Sequence, residues 1–427
     1  MAANMKLISL PTQAGSGEKF PAELEMSRLT FEWLIYSEQK THPTAALATL
    51  FTIASAITAR MFYTETGAST TLYQILIAKS GAGKNITTHA PIKALDAIGY
   101  ERLIISSKIS SIGALDDIFK QQNVAIQVVD EFGDHLGNMM SDKGGYLKSL
   151  AAKIKNLYSS TNGSYESGRY SSSGGKTKTN EPWTLDKPCF GLTGITTKTQ
   201  LFKHLTDDML HDGFLNRFII LDGNDIKPIF PTKVFKGIPN ELRSHLELLQ
   251  KNNFVNHNES VHTTIPLSKE ARKYYHSHIG DADIPNTDIY KYCLNDDTDV
   301  KRAVSVRWRE NSIRLATALT AFEGLDEVSL EVLKWCYNLI KHSSLNFIAS
   351  FEEEASVTKY ESLKEKAIQW FKKHSGDKVS LTHLARNARP FSTLKSKERL
   401  ELLNDLIESG HIMQQTEENM AYFKLAS

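Results

Sequence analysis

A glycine-rich stretch that contains one lysine is the part of the sequence best suited to chemistry. Residues 78–85 read AKSGAGKN, with the β-type run LYQILI before them and a helix-like stretch to residue 97 after them. Glycines let backbone N–H groups close around phosphate oxygens, and the start of a helix adds positive potential. We therefore expect a phosphate-binding loop in which Lys84 reaches the β- and γ-phosphates of a nucleotide. The residues expected to line this loop are Ser80, Gly81, Ala82, Gly83, Lys84 and Asn85.

The loop departs from the usual P-loop pattern at two positions. Ala78 replaces the first glycine, and Asn85 replaces the serine or threonine whose hydroxyl normally ligates Mg²⁺. The amide oxygen of Asn85 could serve directly or through water, or the hydroxyl of Thr87 or Thr88 could help. ATP and Mg²⁺ are thus the expected cofactors, with Asn85 as a metal ligand. The competing interpretation is a glycine-rich turn between strand and helix that happens to contain a lysine.

Two adjacent carboxylates form the second candidate element. Asp130 and Glu131 directly follow the apolar run VAIQVV at 124–129. Packing explains them poorly, because each carboxylate must be solvated or paired. In open α/β sheets, ligands bind beyond the carboxyl ends of the strands, where both this pair and the loop are expected. We predict that Asp130 holds Mg²⁺ through water and that Glu131 polarises the attacking water. The alternative is an acidic strand-to-loop transition.

The elements that must position these groups alternate between strand and helix from residue 71 onward. The predicted strands are 72–77, 103–105, 124–129, 189–193 and 218–221. This alternation predicts an α/β fold with a doubly wound, mostly parallel sheet. One strand intervenes in sequence between the loop and the acids, which suits ATPases that carry their acids on a strand not adjacent to the loop strand. Further helices are expected before this region, split near residues 42–43, and over residues 301–350.

Composition and charge narrow the function classes. The 427 residues include 50 Lys plus Arg and 49 Asp plus Glu, a net charge of +1, so any nucleic-acid contact must come from local patches. The three cysteines form no CxxC pair, which argues against a disulfide scaffold or a cysteine-rich zinc site. The N-terminus lacks a signal-peptide pattern. The most apolar stretch, 45–57, is shorter than the ~20 residues that span a bilayer. We expect a cytoplasmic protein with no membrane contact, in which this stretch is a buried helix.

Two short motifs further along the chain carry a family resemblance. Residues 213–218 read GFLNRF, similar to an LLxRF element, and residues 307–315 read RWRENSIRL, similar to an R-x-x-E-x-x-x-R-L helix. Together with the loop and the acidic pair, these motifs stand in the order of a known family. Over about residues 70–325 the chain resembles AAA+ P-loop ATPases of the MCM-like and phage or plasmid primase–helicase group, which is similar to superfamily 3.

The resemblance assigns roles to further residues. Arg217 would act as a finger on the ATP of a neighbouring subunit, where a cation stabilises charge on the γ-phosphoryl oxygens in the transition state. Arg307 would be the second sensor arginine. The family places a polar first sensor at the end of the fourth strand, where this chain has no Asn, so Thr193 or Thr196 would take that role. The competing interpretation of Arg217 is an ordinary surface arginine that precedes a strand.

The resemblance also implies an architecture and an activity. The architecture is an AAA+ (ASCE) P-loop sheet with N-terminal helices, a helical lid and a C-terminal winged helix. The implied domains are a flexible arm at 1–20, an N-terminal helical segment at 21–66, an ATPase core at 67–225, a helical lid at 226–352 and a winged-helix-like domain at 358–427. The activity would be that of a ring-forming, ATP-driven DNA helicase or translocase, expected as a hexamer, in the replication of a phage or other mobile element. A separate primase or polymerase would be a further partner.

The long insert before the fourth strand is the expected contact with DNA. The family carries a β-hairpin here that projects into the central pore. Between residues 143 and 187 the local charge balance is 8 − 3 = +5. Tyr165 and Tyr170 could stack on bases of single-stranded or forked DNA. The basic residues expected to contact phosphates near the tip are Arg169, Lys176 and Lys178. The alternative is a solvated loop.

Two other function classes stay open. A helicase loader or initiator would use ATP to assemble on DNA without processive unwinding. A nucleotide-gated DNA-binding scaffold or defence ATPase would bind ATP and barely hydrolyse it. In the C-terminal block, Lys395, Lys397 and Arg399 are candidates for phosphate contacts, although acidic residues nearly balance the basic ones and many winged helices bind proteins.

Overall fold

The computed structural model describes residues 20–141, 145–159, 163–168, 182–205, 213–258, 262–294, 302, 304–417 and 420–426. Its strands, numbered in chain order, are β1 (Phe62–Thr64), β2 (Tyr73–Ile77), β3 (Ile104–Ile105), β4 (Val124–Val129), β5 (Ser164–Glu166), β6 (Thr184–Asp186), β7 (Cys189–Thr196), β8 (Phe218–Asp222), β9 (Thr263–Ile265), β10 (Val379–Ser380), β11 (Ile412–Glu417) and β12 (Met420–Leu425). Its helices are α1 (Glu25–Tyr36), α2 (Pro43–Thr58), α3 (Ile86–Asp96), α4 (Ile112–Gln121), α5 (Phe132–Ser141), α6 (Tyr146–Ser159), α7 (Lys198–His204), α8 (Asn240–Asn258), α9 (Lys269–Tyr274), α10 (Asp288–Leu294), α11 (Trp308–Glu323), α12 (Leu330–Lys373), α13 (Leu381–Asn387), α14 (Arg389–Ser392) and α15 (Ser396–Glu408).

The centre of the fold is a five-stranded sheet in which every pairing is parallel. The strand order is β3-β4-β7-β2-β8. The predicted α/β fold with a parallel sheet is therefore confirmed. β4 and β7 are buried along their whole length, which explains why they read as continuous apolar runs. Because β7 lies between β2 and β4, the strand that leads into the glycine-rich loop does not neighbour the strand that leads into the two acids.

Alternating side chains of β2 show that helices cover the sheet on both faces. The side-chain amide of Gln74 donates to the carbonyl oxygen of Ala48 in α2 at 2.9 Å. Its neighbour Tyr73 points the other way and donates its hydroxyl to the carbonyl oxygen of Ile154 in α6 at 2.8 Å. The ring of Tyr73 also packs against Phe218, with 5.3 Å between ring centroids. Polar and aliphatic contacts to α2 therefore hold one face, and aromatic contacts hold the other.

Helix α2 is the buried centre of this part of the chain. All 16 of its residues are buried, which confirms the expectation of a buried helix over 45–57. Pro43 suits the first turn because that position needs no N–H partner. The ring of His42 caps the helix by accepting the backbone N–H of Thr44 at 3.2 Å. In the part of the chain that the structure describes, no helix is long and apolar enough to cross a membrane.

The chain divides into two compact units, Met1–Ile348 and Ala349–Ser427. The expected domain bounds at 352 and 358 both fall within α12, which is continuous from Leu330 to Lys373. The second unit combines α13, α14 and α15 with a three-stranded antiparallel sheet of order β10-β12-β11. The side chains that fill its core include Phe371, Leu384, Phe391, Leu402, Leu406 and Phe423.

Candidate functional site

The loop at residues 78–85 joins the end of β2 to the start of α3. Two of its glycines adopt left-handed backbone conformations, with φ of 68° at Gly81 and 83° at Gly83. Glycine adopts this region without the steric cost that a Cβ brings. At Gly83 the space is also closed, since a Cβ there would lie 2.6 Å from the carbonyl oxygen of Lys40. Residues 79–81 are exposed, so the outer part of the loop lies in solvent.

The ammonium group of Lys84 lies across the carboxyl ends of β2 and β7. It donates to the carbonyl oxygens of Ala78 at 2.9 Å and Thr196 at 3.3 Å. Burial lowers the pKa of Lys84 below its ordinary value, and the negative charge of Asp130 partly opposes that shift. The loop and the acidic pair therefore meet at one edge of the sheet. A lysine has three N–H donors, so a phosphate could take the third or replace a carbonyl, and a charged acceptor makes the stronger hydrogen bond.

The two acids stand in solvent at the end of β4. Glu131 has φ of 55°, a left-handed conformation that is uncommon outside glycine, and its N–H donates to Oδ1 of Asp130 at 2.9 Å. The Glu131 side chain is 65% exposed, and its carboxylate lies 4.0 Å from the ammonium group of Lys108. Burial, together with the charge of Lys108, lowers the pKa of His135. The edge therefore holds the carboxylates of Asp130 and Glu131 and the ammonium groups of Lys84 and Lys108, with the imidazole of His135 beside them.

Thr193 does not reach this edge, which corrects the expectation that it acts as a polar sensor. Its buried hydroxyl accepts the side-chain N–H of Gln74 at 2.9 Å and lies 2.9 Å from the hydroxyl of Thr52. It thus belongs to the polar contacts between the sheet and α2. Thr196 meets the site instead, because its carbonyl accepts from Lys84 and its hydroxyl accepts the N–H of Gly133 at 3.3 Å. Positions 193 and 196 differ by an odd number, so they face opposite sides of a strand.

The oxygen ligands available at the edge fit magnesium. Asn85 is exposed at the start of α3, where its side chain makes no capping hydrogen bond. Thr87 is turned into the core, with its hydroxyl donating to the carbonyl of Ala45 at 3.4 Å, so it cannot assist. Amide and carboxylate oxygens are ligands that Mg²⁺ accepts, with water and phosphate oxygens completing its shell. Asn85 and Asp130 therefore suit Mg²⁺ that is held mainly by a nucleotide. Within the described ranges, no group of three or more His, Cys, Asp or Glu side chains could hold a metal ion.

Arg217 lies at the opposite edge of the sheet. It immediately precedes β8, which runs parallel to β2. A five-residue strand is about 16 Å long, so Arg217 stands roughly that far from the edge that carries Lys84. Its guanidinium donates to the hydroxyl of Ser159 at the end of α6 at 3.5 Å. Burial lowers the pKa of Arg217, and the positive charge of Arg307 lowers it further. The guanidinium carbon of Arg217 lies 5.9 Å from the ring centroid of Tyr158, and that of Arg314 lies 4.0 Å from the same centroid.

Arg307, the expected second sensor arginine, belongs to the same charged group as Arg217. It forms an ion pair with Glu310, which also pairs with Arg314 at 2.8 Å. Burial alone would raise the pKa of Glu310, but the charges of Arg314 and Arg307 hold it below the ordinary range. Arg314 is only 1% exposed and donates to the carbonyl oxygen of Tyr158 at 2.8 Å. A well-connected group of three arginines thus stands at the amino edge of the sheet.

Lys108, Tyr158 and Ser159 contact these two edges and belong to no motif in the sequence. The position of Lys108 was open to prediction, because it follows the strand at 103–105 and therefore lies at the same edge as the acids. The other two end helix α6, and nothing in the periodicity of that helix indicates that it packs beside residue 217.

The insert before β7 begins as a two-stranded antiparallel ribbon. β5 pairs with β6, with Ser164 opposite Asp186. Tyr165 is buried and donates its hydroxyl to Asp116, while the ammonium group of Lys153 lies 4.1 Å from its ring centroid. The expectation that Tyr165 stacks on bases is therefore wrong, since this ring anchors the base of the insert. The remaining residues expected to contact DNA, Arg169, Tyr170, Lys176 and Lys178, lie outside the described residues.

The candidate phosphate contacts of the C-terminal unit are partly used within the unit itself. Arg399 donates to the carbonyl oxygens of Phe391 at 3.0 Å and Leu394 at 2.7 Å. Lys397 is exposed and lies 3.9 Å from the carboxylate of Glu401. Arg399 is therefore a structural residue, and the charge of Lys397 is partly balanced.

No protein-family model and no curated protein sequence matches this chain.

Proposed function

We propose that this chain is an ATPase of the AAA+ type that assembles into a ring, most simply a hexamer, and uses ATP to move along or unwind DNA. The observation that carries the proposal is the meeting of the glycine-rich loop and the acidic pair at one edge of the sheet. Lys84 is held between the ends of β2 and β7, close enough to feel the charge of Asp130. The insertion of β7 between the loop strand and the acid strand also fits the ATPases that the chain resembles.

The residues at this edge divide the reaction between them. Lys84 exchanges its carbonyl partners for oxygens of the β- and γ-phosphates and neutralises their charge. Asn85 and Asp130 would hold Mg²⁺, which would offset the negative charge of the phosphates. Glu131 accepts a proton from water as the water oxygen bonds to the γ-phosphorus. The bond from that phosphorus to the β–γ bridging oxygen breaks, and ADP and phosphate are released.

We infer from the position of the arginines at the other edge that they act on the nucleotide bound to a second copy of the chain. Arg217 and Arg307 stand about 16 Å from the edge that carries Lys84, the length of a five-residue strand. They therefore cannot serve the γ-phosphate of their own chain without a large rearrangement. In a head-to-tail ring, the amino edge of one sheet faces the carboxyl edge of the next, and every site receives its arginine from a neighbour.

Phosphate release from ATP tests the catalytic assignment. Glu131→Gln should lower the rate at least about 100-fold while ATP still binds, because it removes the base and keeps the size of the side chain. Lys84→Ala should abolish ATP binding and, with it, phosphate release. Matched controls are Glu101→Gln and Lys120→Ala, which alter exposed residues away from this edge and should leave the rate unchanged. A wild-type chain that releases no phosphate, or a Glu131→Gln variant as fast as wild type, would reject the assignment.

Mixing two inactive variants tests the role of the ring. Lys84→Ala chains keep Arg217, and Arg217→Ala chains keep Lys84, so a mixture contains junctions in which both groups are intact. We expect the mixture to recover part of the wild-type rate, while each variant alone stays inactive. No recovery from co-assembled chains, under conditions where wild-type chains exchange, would argue against an arginine supplied by a neighbour.

The DNA part of the proposal is supported by the local charge of +5 around the insert and by the ordered ribbon at its base. We expect single-stranded DNA to stimulate hydrolysis and the wild-type chain to displace a strand from forked DNA. Glu131→Gln should abolish that displacement. DNA-stimulated hydrolysis without displacement would favour a loader or initiator. ATP binding with no DNA-stimulated hydrolysis would favour a nucleotide-gated scaffold.

A further inference from the structure

An exposed phenylalanine stands in the segment that follows β8. The side chain of Phe230 is 66% exposed, although burial of an aromatic ring is strongly favourable. A single exposed apolar residue is ordinary on a protein surface, so exposure by itself indicates nothing. The position of Phe230 relative to the glycine-rich loop, however, indicates a role for this ring in ligand binding.

The segment that precedes α2 lies directly against that loop. The carbonyl oxygen of Lys40 packs against Gly83, and the backbone N–H of His42 donates to the Gly83 carbonyl at 3.1 Å. Two residues before Lys40, the carboxylate of Glu38 lies 2.6 Å from Nε2 of His89 in the first turns of α3. This segment therefore forms one wall of the phosphate-binding loop.

Phe230 is fixed to the same wall. Thr41 and Ile229 exchange two backbone hydrogen bonds, of 3.0 and 2.8 Å, so the residue next to Phe230 is paired with the residue next to Lys40. The ammonium group of Lys40 lies 5.5 Å from the centroid of the Phe230 ring. Lys40 thus touches the phosphate loop with its carbonyl and reaches the aromatic ring with its side chain.

We propose that Phe230 is the stacking platform for the base of the nucleotide whose phosphates lie on residues 78–85. The inference rests on the proposed ATP site and adds to it the group that binds the nucleoside. The phosphate loop and Phe230 lie against the same segment, so a nucleotide with its phosphates on the loop can place its base against the ring. Lys40 covers one face of the ring, and the base takes the other. An aromatic ring and a base stack through their faces, so this contact adds affinity whatever the base.

The test compares a ligand that has a base with one that lacks it. Titration calorimetry measures the binding of ATP and of inorganic tripolyphosphate, both with Mg²⁺, to the full chain. Phe230→Ala should weaken the binding of ATP at least about fivefold, the lower end of the contribution of a stacking contact, and leave the affinity for tripolyphosphate unchanged. Phe230→Trp should keep the affinity for ATP, and ATP but not tripolyphosphate should quench the fluorescence that the new indole adds. Leu248→Ala is the matched control, since Leu248 is 55% exposed on α8, outside this wall.

The outcomes separate this inference from the proposed function. If the wild-type chain binds both ligands and Phe230→Ala binds ATP as tightly as wild type, the platform is wrong and the phosphate site stands. If Phe230→Ala weakens both ligands equally, the residue is structural and the platform is again wrong. If the wild-type chain binds neither ligand, the proposed function fails and the platform fails with it.

Discussion

Replacing Gly83 by alanine should destabilise the protein far more than the same replacement at Gly81. Both glycines belong to the phosphate-binding loop and both have left-handed backbones, with φ of 83° and 68°. They differ in their surroundings. A Cβ at Gly81 would meet nothing within 4 Å, whereas a Cβ at Gly83 would lie 2.6 Å from the carbonyl oxygen of Lys40. The pair therefore separates the cost of the backbone conformation from the cost of the contact.

The magnitudes follow from these two terms. A left-handed conformation costs a residue with a Cβ about 1–2 kcal/mol, which is the whole expected loss for Gly81→Ala. Gly83→Ala adds the displacement of a backbone carbonyl, comparable to overpacking at about 1–3 kcal/mol, for a total of about 2–5 kcal/mol. Because the displaced segment also carries Thr41, which pairs with Ile229, the second variant should weaken ATP binding as well.

Urea unfolding of both variants beside the wild type measures the first difference, and calorimetric titration with ATP measures the second. We expect a clearly lower unfolding midpoint for Gly83→Ala than for Gly81→Ala, with an unchanged slope. Equal losses for the two variants would refute the reasoning, since only the contact with Lys40 distinguishes them. A larger loss for Gly81→Ala would mean that the loop does not pack against the segment before α2.

Three further predictions follow from the charges at the two edges. Lys84→Arg should keep tripolyphosphate binding to a higher pH than wild type, because burial lowers the pKa of Lys84 and its charge is lost as the pH rises through that value. Lys108→Met should change basal ATP hydrolysis by no more than about fivefold, since Lys108 and Glu131 form an exposed ion pair at 4.0 Å and such pairs are worth under about 1 kcal/mol. Arg314→Met should lower the free energy of unfolding by about 3–5 kcal/mol, because it leaves buried hydrogen-bond partners of the guanidinium without a donor.

Each of these has a result that would contradict it. The first prediction is contradicted if, between about pH 8 and pH 11, the affinity of Lys84→Arg for tripolyphosphate falls in parallel with that of wild type. The second is contradicted if the rate of ATP hydrolysis by Lys108→Met drops by more than tenfold. That result would make Lys108 part of the catalytic machinery. For Arg314→Met the comparison is Arg243→Ala, which removes an exposed arginine. An equal loss of unfolding free energy in both variants would show that the buried hydrogen bonds of Arg314 do not stabilise the fold.

Much of the sheet could be predicted from the sequence because each of its strands has a recognisable local hydrophobic pattern. Each buried parallel strand is a short apolar run between polar or glycine-rich segments, and the order of runs and helices predicts parallel pairing. The end of β7 was less predictable. The strand continues to Thr196, and the strand alternation that turns Thr193 into the contact with α2 depends on that register. A polar residue near a strand end carries no local sign of which face it takes.

The arginines illustrate the same limit at longer range. The motif at 307–315 was visible in the sequence, but its place beside Arg217 depends on how α11 packs against the start of β2 and the end of α6. Tyr165 had the composition of a nucleic-acid contact, yet it is buried under Lys153. Burial is a property of everything that surrounds a side chain, so one segment does not determine it.

Local sequence was sufficient to predict the five strands of the central sheet, their parallel pairing, and the positions of the glycine-rich loop and the two acids, because these depend on hydrophobic pattern and backbone freedom within short windows. The strand order, the separation of the arginines from the edge that carries Lys84, and the place of Phe230 beside the loop became visible only in the folded chain. Those features arise from contacts between residues far apart in the chain, whose energies depend on packing that no short window contains.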